Sequence, residues 1–300
     1  MFLSTLSGRV ARLLTVSLGL LVTASLPARA AEDRLLFYKT SLPHSTVYLL
    51  GSMHLATADV YPLRDTIMQA FKGADKLVVE LDINGASQMR IQERMLTRGV
   101  YTDGTTLADV LSPETWRDLS ARLQANGLPP EFMMSMKPGL VVTSLSTVEM
   151  MRLGLDPEQG IDRYFLNEAR GNKPILELET VDRQLDAVLD IPKPDLMVRQ
   201  SLDQLDDLES LMDQLVTSWK RGDAKALNKL VIEDELAKHP EYEELHVRMF
   251  DQRNREMTDK ILEMQRAGGT YFVVVGAGHL VGEEGIVAML RREGQRPRQL

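Results

Sequence analysis

Two stretches of this chain, more than two hundred positions apart, end in the same way. "VYLLGSMHL" (47–55) and "FVVVGAGHL" (272–280) are each an apolar run that stops at Gly-x-x-His and continues into Leu. Short apolar runs rich in β-branched residues read as buried strands. Glycine at a strand end permits either a positive φ or a close approach of backbones. The histidine then stands just past the carboxyl end of its strand, where open α/β sheets place their ligand crevices. One such motif arises readily by chance. Two in the same strand-end setting point to His54 and His279 sharing a site.

The intervening sequence supplies a sheet for them. "RLLFYKTS" (34–41) precedes the first motif, and the short "LPH" turn between the two runs predicts a hairpin. "PLRDTIMQAFKGA" (62–74) predicts a helix with Pro62 at its first position and Gly73 near its stop. "KLVVELD" (76–82) is a further buried strand, so strand, helix and strand make a βαβ unit and a parallel portion of sheet. Helices are expected over 85–100 and 112–126, the latter opened by Ser112 and Pro113, and over 137–155, where apolar spacing outweighs β-branched content. "KPILELE" (173–179) predicts a strand that Thr180 converts into a helix. From about 184 to 266 the chain turns acidic and helical, which predicts a mainly helical subdomain. The expected fold is α/β: a mixed, partly parallel sheet flanked by helices, with a helical insertion, over residues 31–300. The strand ends at 80–82 and 177–179 add Glu80, Asp82, Glu177 and Glu179 to the side of the sheet where the histidines stand.

Residues 1–30 have another build. Arg9 and Arg12 lead an apolar segment, and Ala28-Arg29-Ala30 fits a small-x-small cleavage rule. This is the pattern of a signal peptide cleaved after Ala30, and it predicts a periplasmic or secreted protein with no membrane span after cleavage. The chain has no cysteine, which excludes disulfides, thiolate ligands and lipid attachment through a cysteine. Of 35 basic residues, 32 remain against 43 acidic once the leader is removed. That balance excludes nucleic acid as a partner, because phosphate binding needs clustered positive charge.

Several other features read as ordinary. "GAGHLVG" lacks the glycine spacing and the following βαβ unit of a dinucleotide loop, so no nucleotide cofactor is expected. Glu243-x-x-His246 has the spacing of a di-iron ligand pair, but a bundle of that kind needs two copies, so an exposed helix is expected. His44 and His239 sit beside prolines and read as solvated, and the methionines of "FMMSM" (132–136) read as core. Arg253 reads either as a holder of a carboxylate such as Glu80 or as one end of a surface ion pair.

Taken together, "YLLGSMHLATADVYPL", "ADKLVVELD", "GIDRYFLNEARGNKPILELETVDRQL", "DQRNREMTDKI" and "VVVGAGHLVGEEGIVAML" resemble the TraB/GumN family, whose animal relatives include the TIKI metalloproteases. The resemblance implies an exported hydrolase dependent on a divalent metal (Mn, Co or Zn), acting on a peptide or small-molecule substrate. Carried over by motif, it implies His54, His279, Glu80 and Asp162 as metal ligands, and Glu80, Glu179, Arg253 and Asn254 as catalytic residues. Imidazole and carboxylate donors suit such ions. The sequence departs from the family at Glu177, where a small residue is usual, and after Gly294, where no clear final strand is visible. The same residues would also serve a metal-independent hydrolase resembling the erythromycin esterases, with His and Glu activating water directly. A third alternative is a non-catalytic periplasmic binding or inhibitory module. Oligomeric state is not legible.

Overall fold

The computed structural model describes residues 33–300, so the expected signal peptide lies outside the described residues. Six strands form one sheet: β1 (Phe37–Leu42), β2 (Ser45–Ser52), β3 (Lys76–Val79), β4 (Ile175–Glu177), β5 (Gly269–Gly276) and β6 (Arg298–Gln299), in the order β4-β3-β5-β2-β1-β6. β4, β3, β5 and β2 run parallel, while β1 is antiparallel to both β2 and β6. This is the mixed, mostly parallel α/β sheet expected from the sequence. The last long strand inserts between two early ones, so β5 is central and its apolar run is buried on both faces. That double burial is why "YFVVV" carries no alternation of polar residues.

Register brings the strand ends into line. Ser52 lies opposite Gly276, and Val79 lies opposite Val274, so Glu80 leaves β3 level with the end of β5. The main core packs against this sheet and includes Phe37, Phe71, Phe165 and Phe272, whose rings form a contiguous tilted cluster. A second core lies among helices and is built by Leu119, Val141, Leu145, Val198 and Leu245 with their neighbours. The helical stretch feeds both, because Trp219, Leu227, Met257 and Ile261 join the sheet's core. Trp219 also donates its indole N–H to the carbonyl of Gly51 at 2.8 Å, tying the helix Leu208–Arg221 to the end of β2.

Local details depart from the sequence reading in two places, and in a third they settle an alternative it left open. The helix expected to open at Pro62 begins at Asp65 and ends at Gly73. The end after Gly294 does form a strand: β6 pairs with β1 through Tyr38 and Lys39, a two-residue ladder too short to give a hydrophobic pattern. The glycines Gly51 and Gly276 are there for close approach, since neither has a positive φ. A Cβ on Gly51 would lie 3.0 Å from that of Leu36 and 3.2 Å from Cα of Ala277. Among the described residues no helix is long and apolar enough to cross a membrane.

Candidate functional site

Seven side chains singled out in the sequence meet at the carboxyl end of the parallel strands. β2 delivers His54, β3 delivers Glu80, and β5 delivers His279 on a 3-10 turn, Ala277–Leu280. Glu179 follows β4, one residue before the Thr180 cap that accepts from the N–H of Arg183 and opens the helix Val181–Leu189. Asp162 comes from the first turn of the helix Ile161–Ala169, and Arg253 and Asn254 from the start of the helix Gln252–Ala267. All but His54 are buried.

The centre of the site is Gly276. A Cβ built there would lie 3.3 Å from Glu80 Oε1, 3.5 Å from His279 Cδ2 and 3.8 Å from His54 Nε2. The Gly276 N–H donates to Glu80 Oε1 at 2.7 Å, and Oε1 lies 3.8 Å from His279 Nε2.

Both imidazoles are oriented from behind. His54 Nδ1–H donates to Asp162 Oδ2 at 2.8 Å, and Ser52 Oγ donates to the other Asp162 oxygen at 2.7 Å. Helix and motif loop are brought together by Gly160, where a Cβ would strike the His54 carbonyl oxygen at 2.3 Å, and by the Ile161 N–H donating to Met53 O. His279 Nδ1 lies 2.6 Å from Asn254 Oδ1. Because the Asn254 amide nitrogen donates to Glu284 O at 2.8 Å, its oxygen is the acceptor and His279 Nδ1 carries the proton. His54 therefore keeps its Nε2 on the Gly276 side, and His279 keeps its Nε2 on the side of Glu80 Oε1.

Glu80 is held by charge. Arg253 donates from Nη2 to Glu80 Oε2 at 2.9 Å and grips Glu179 through Nε and Nη2 at 2.7 and 2.6 Å. Arg253 thus resolves as a buried carboxylate holder rather than one end of a surface pair. Burial alone would raise the Glu80 carboxyl, but His279, His54, Arg253 and the Gly276 N–H outweigh it and bring it down to about 2. The two imidazoles are driven apart. The Asp162 charge dominates at His54 and raises it to about 9, whereas burial dominates at His279, with Arg253 and His54 adding to it, and lowers it to about 4. His54 keeps 60 % of its side chain exposed, so it is the member of the site that an incoming molecule meets first.

The expected residues do not all face the same way. Asp162 spends both oxygens on Ser52 and His54, and therefore stands behind the imidazole rather than beside His279 and Glu80. Glu179 is turned to Arg253, and Asn254 holds His279 from behind. Asp82 and Glu177 belong elsewhere. Asp82 forms a two-point pair with Arg170, and Glu177 accepts from the Asp82 N–H and from Ser87 Oγ, tying β4 to the start of the helix Ala86–Arg98. His246 is not on an exposed helix as expected: only 13 % of its side chain is accessible and it stacks on Phe250. Sequence reasoning missed Ser52, Gln184, whose amide reaches Glu80 Oε2 at 3.4 Å, and Phe250, whose ring centre is 5.3 Å from that of His279. Ser52 lies inside the first motif and Gln184 one helical turn past Thr180, so position alone could have flagged both.

In donor type and orientation the residues suit a divalent ion. A metal-binding histidine characteristically donates its second ring N–H to a carboxylate or carbonyl, as both do here. Among the described residues, however, no three His, Asp or Glu side chains are gathered closely enough to make a finished ligand cage.

Comparison with known proteins agrees with the motifs. The TraB/PrgY/gumN family model matches residues 36–299, and the chain belongs to that family. It is 26% identical to the uncharacterized protein YbaP of Escherichia coli (strain K12), over 81% of this chain and 87% of that one. It is 23% identical to an uncharacterized protein of Treponema pallidum (strain Nichols), over 89% of this chain and 83% of that one. It is also 23% identical to metalloprotease TIKI1 of Danio rerio, over 82% of this chain but 59% of the longer relative. No solved structure matches.

Proposed function

We propose that this TraB/PrgY/gumN protein is an exported hydrolase, and that His54, Glu80 and His279 form its water-activating centre around Gly276. One observation carries the reading: both imidazoles have Nδ1 committed to a partner behind them, with His54 Nε2 left beside Gly276 and His279 Nε2 left beside the buried Glu80 oxygen that the Gly276 N–H holds. Such preorganisation costs free energy, since it keeps Glu80, Glu179 and Arg253 out of water, and a structural role alone would be met by apolar packing. The leader sequence supports export, and the metalloprotease name of the zebrafish relative supports a peptide as substrate.

His54, His279 and Glu80 would hold a divalent ion, which when bound polarises a carbonyl and makes hydroxide available near neutral pH. Asp162 and Asn254 fix the ring orientations, and Arg253 with the Gly276 N–H fixes Glu80.

A second reading rests on the separation of the two imidazoles. Two groups pushed apart in this way are placed to act as acid and base. With His279 neutral and His54 protonated at pH 7, His279 Nε2 would take a proton from water as its oxygen attacks the carbonyl carbon. His54 Nε2 would then give a proton to the leaving group. The two readings part on chelation. Turnover of a peptide library by the purified protein is measured before and after removal of metal with a chelator, then after return of Mn, Co or Zn. The metal reading predicts loss and recovery; undiminished turnover in metal-free protein overturns it in favour of acid–base chemistry. Absence of turnover under every metal condition overturns both.

A further inference from the structure

The segment just before Arg253 is a π-helical turn, Val247–Asp251, set between α-helical residues on both sides. Turns of this kind insert a residue into a helix and so re-aim its side chains, and they recur at functional sites. Here the turn aims Phe250 at the loop that carries His279. One edge of the ring comes so close to Gly278 that a Cβ there would meet Phe250 Cε1 at 2.9 Å. Its centre is 5.3 Å from that of His279, tilted by 49°, and on its other side it stacks on His246 at 5.0 Å and 25°. His246 is fixed in turn by Asp251, 3.4 Å from Nε2, and both side chains are largely buried. A second π-helical turn, Lys229–Glu233, faces the same loop four residues on. A Cβ on Gly282 would meet Asn228 Oδ1 at 2.5 Å and Ile232 Cδ1 at 3.3 Å. The helical stretch therefore grips the His279 loop at two glycines, and Phe250 adds a ring contact with the imidazole to the hydrogen bond that Asn254 makes.

We infer that Phe250 is a positioning residue for His279: seated by its π-helical turn and backed by His246, it holds the imidazole plane and keeps water from the bond between His279 Nδ1 and Asn254. The reason is geometric. Asn254 holds the ring only at Nδ1, and Phe250, seated edge-on against Gly278, packs beside the imidazole and limits its swing away from that hydrogen bond. A rigid aromatic ring packed at a tilt against an imidazole makes an oriented contact that an aliphatic side chain does not.

This inference rests on the hydrolase reading for its consequence but not for its test. The full mature chain is labelled at histidine with nitrogen-15, and the His279 Nδ1–H resonance and its exchange with water are followed in wild type, Phe250→Tyr, Phe250→Leu and Phe250→Ala. Wild type and Phe250→Tyr are expected to show a protected proton. Phe250→Leu, which keeps apolar volume without a ring, and Phe250→Ala are expected to lose that protection while the chain stays folded by circular dichroism. Where hydrolysis is measurable, kcat in Phe250→Leu is expected to fall about tenfold with KM within about twofold, as misplacement of one reacting group predicts. A protected proton in Phe250→Leu equal to wild type overturns the inference even if the protein is an active hydrolase. Lost protection in a protein without turnover leaves the inference standing and removes the hydrolase reading.

Discussion

Asn254 Oδ1 accepts the Nδ1 proton of His279 across 2.6 Å, and this contact decides which nitrogen of the imidazole faces Glu80. Because Asn254 is anchored through Glu284 O, the tautomer is set by backbone at the far end of the loop rather than by the site itself. Asn254→Ala is therefore expected to leave the fold intact and weaken divalent-ion affinity by about 10–100-fold, the usual cost of losing the partner behind a metal-binding histidine. Titration with Mn or Co followed by calorimetry checks this, and an affinity within twofold of wild type counts against the assigned role.

Arg253 is expected to matter for stability before it matters for chemistry. Arg253→Leu leaves Glu80 and Glu179 buried beside each other without their shared cation, a loss of about 3–5 kcal/mol by urea denaturation. Glu179→Gln added to that background should cost less than Glu179→Gln alone, because the Arg253 it would orphan is gone. Equal costs in both backgrounds would mean the pair is not coupled.

Stability should peak near pH 6.5 and fall on either side. Glu80 is depressed to about 2 from 4.5, so its contribution is complete above 4.5 and is lost as pH falls toward 2. His279 is depressed to about 4 from 6.5, so the unfolded chain takes up a proton first and stability falls as pH drops from 6.5 toward 4. His54 is raised to about 9 from 6.5, so its contribution is present below 6.5 and is lost as pH rises toward 9. Thermal melts across that range check the signs, and Asp162→Asn should flatten chiefly the alkaline limb, because Asp162 is the largest influence on His54 and a minor one on His279.

Glu177 lies close to the site in sequence but holds Asp82 and Ser87. Glu177→Ala is expected to cost about 1–3 kcal/mol of stability through those hydrogen bonds while leaving kcat and ion affinity unchanged. A drop in kcat beyond threefold at full folding would return it to the site.

The pair of Gly-x-x-His motifs, the central strand and the sheet class were legible because doubly buried strands carry a one-dimensional signal: "FVVVG" needs no partner to be recognised. The tall order was direction. Glu80 and Asp82 share a strand end in the sequence, yet one meets Arg253 and the other Arg170, because β3 stops at Val79 and the chain turns. The family resemblance implies Asp162 as a ligand, and the helix packing through Gly160 shows that it reaches His54 from behind. Phe250 was invisible for a related reason: a π-helical turn shifts helical phase by one residue, so spacing arguments built on the α-helix misplace its side chains. The two-residue β6 carries no period at all.

The most direct test is metal content. Mature wild type, His54→Ala and His279→Ala are equilibrated with Mn, Co or Zn, freed of loose ions by gel filtration and analysed by elemental mass spectrometry. If His54, His279 and Glu80 hold one ion as proposed, about one equivalent is expected in wild type and less than about a tenth of that in either variant, since each imidazole would be a required donor. Equal metal in all three proteins would contradict the account.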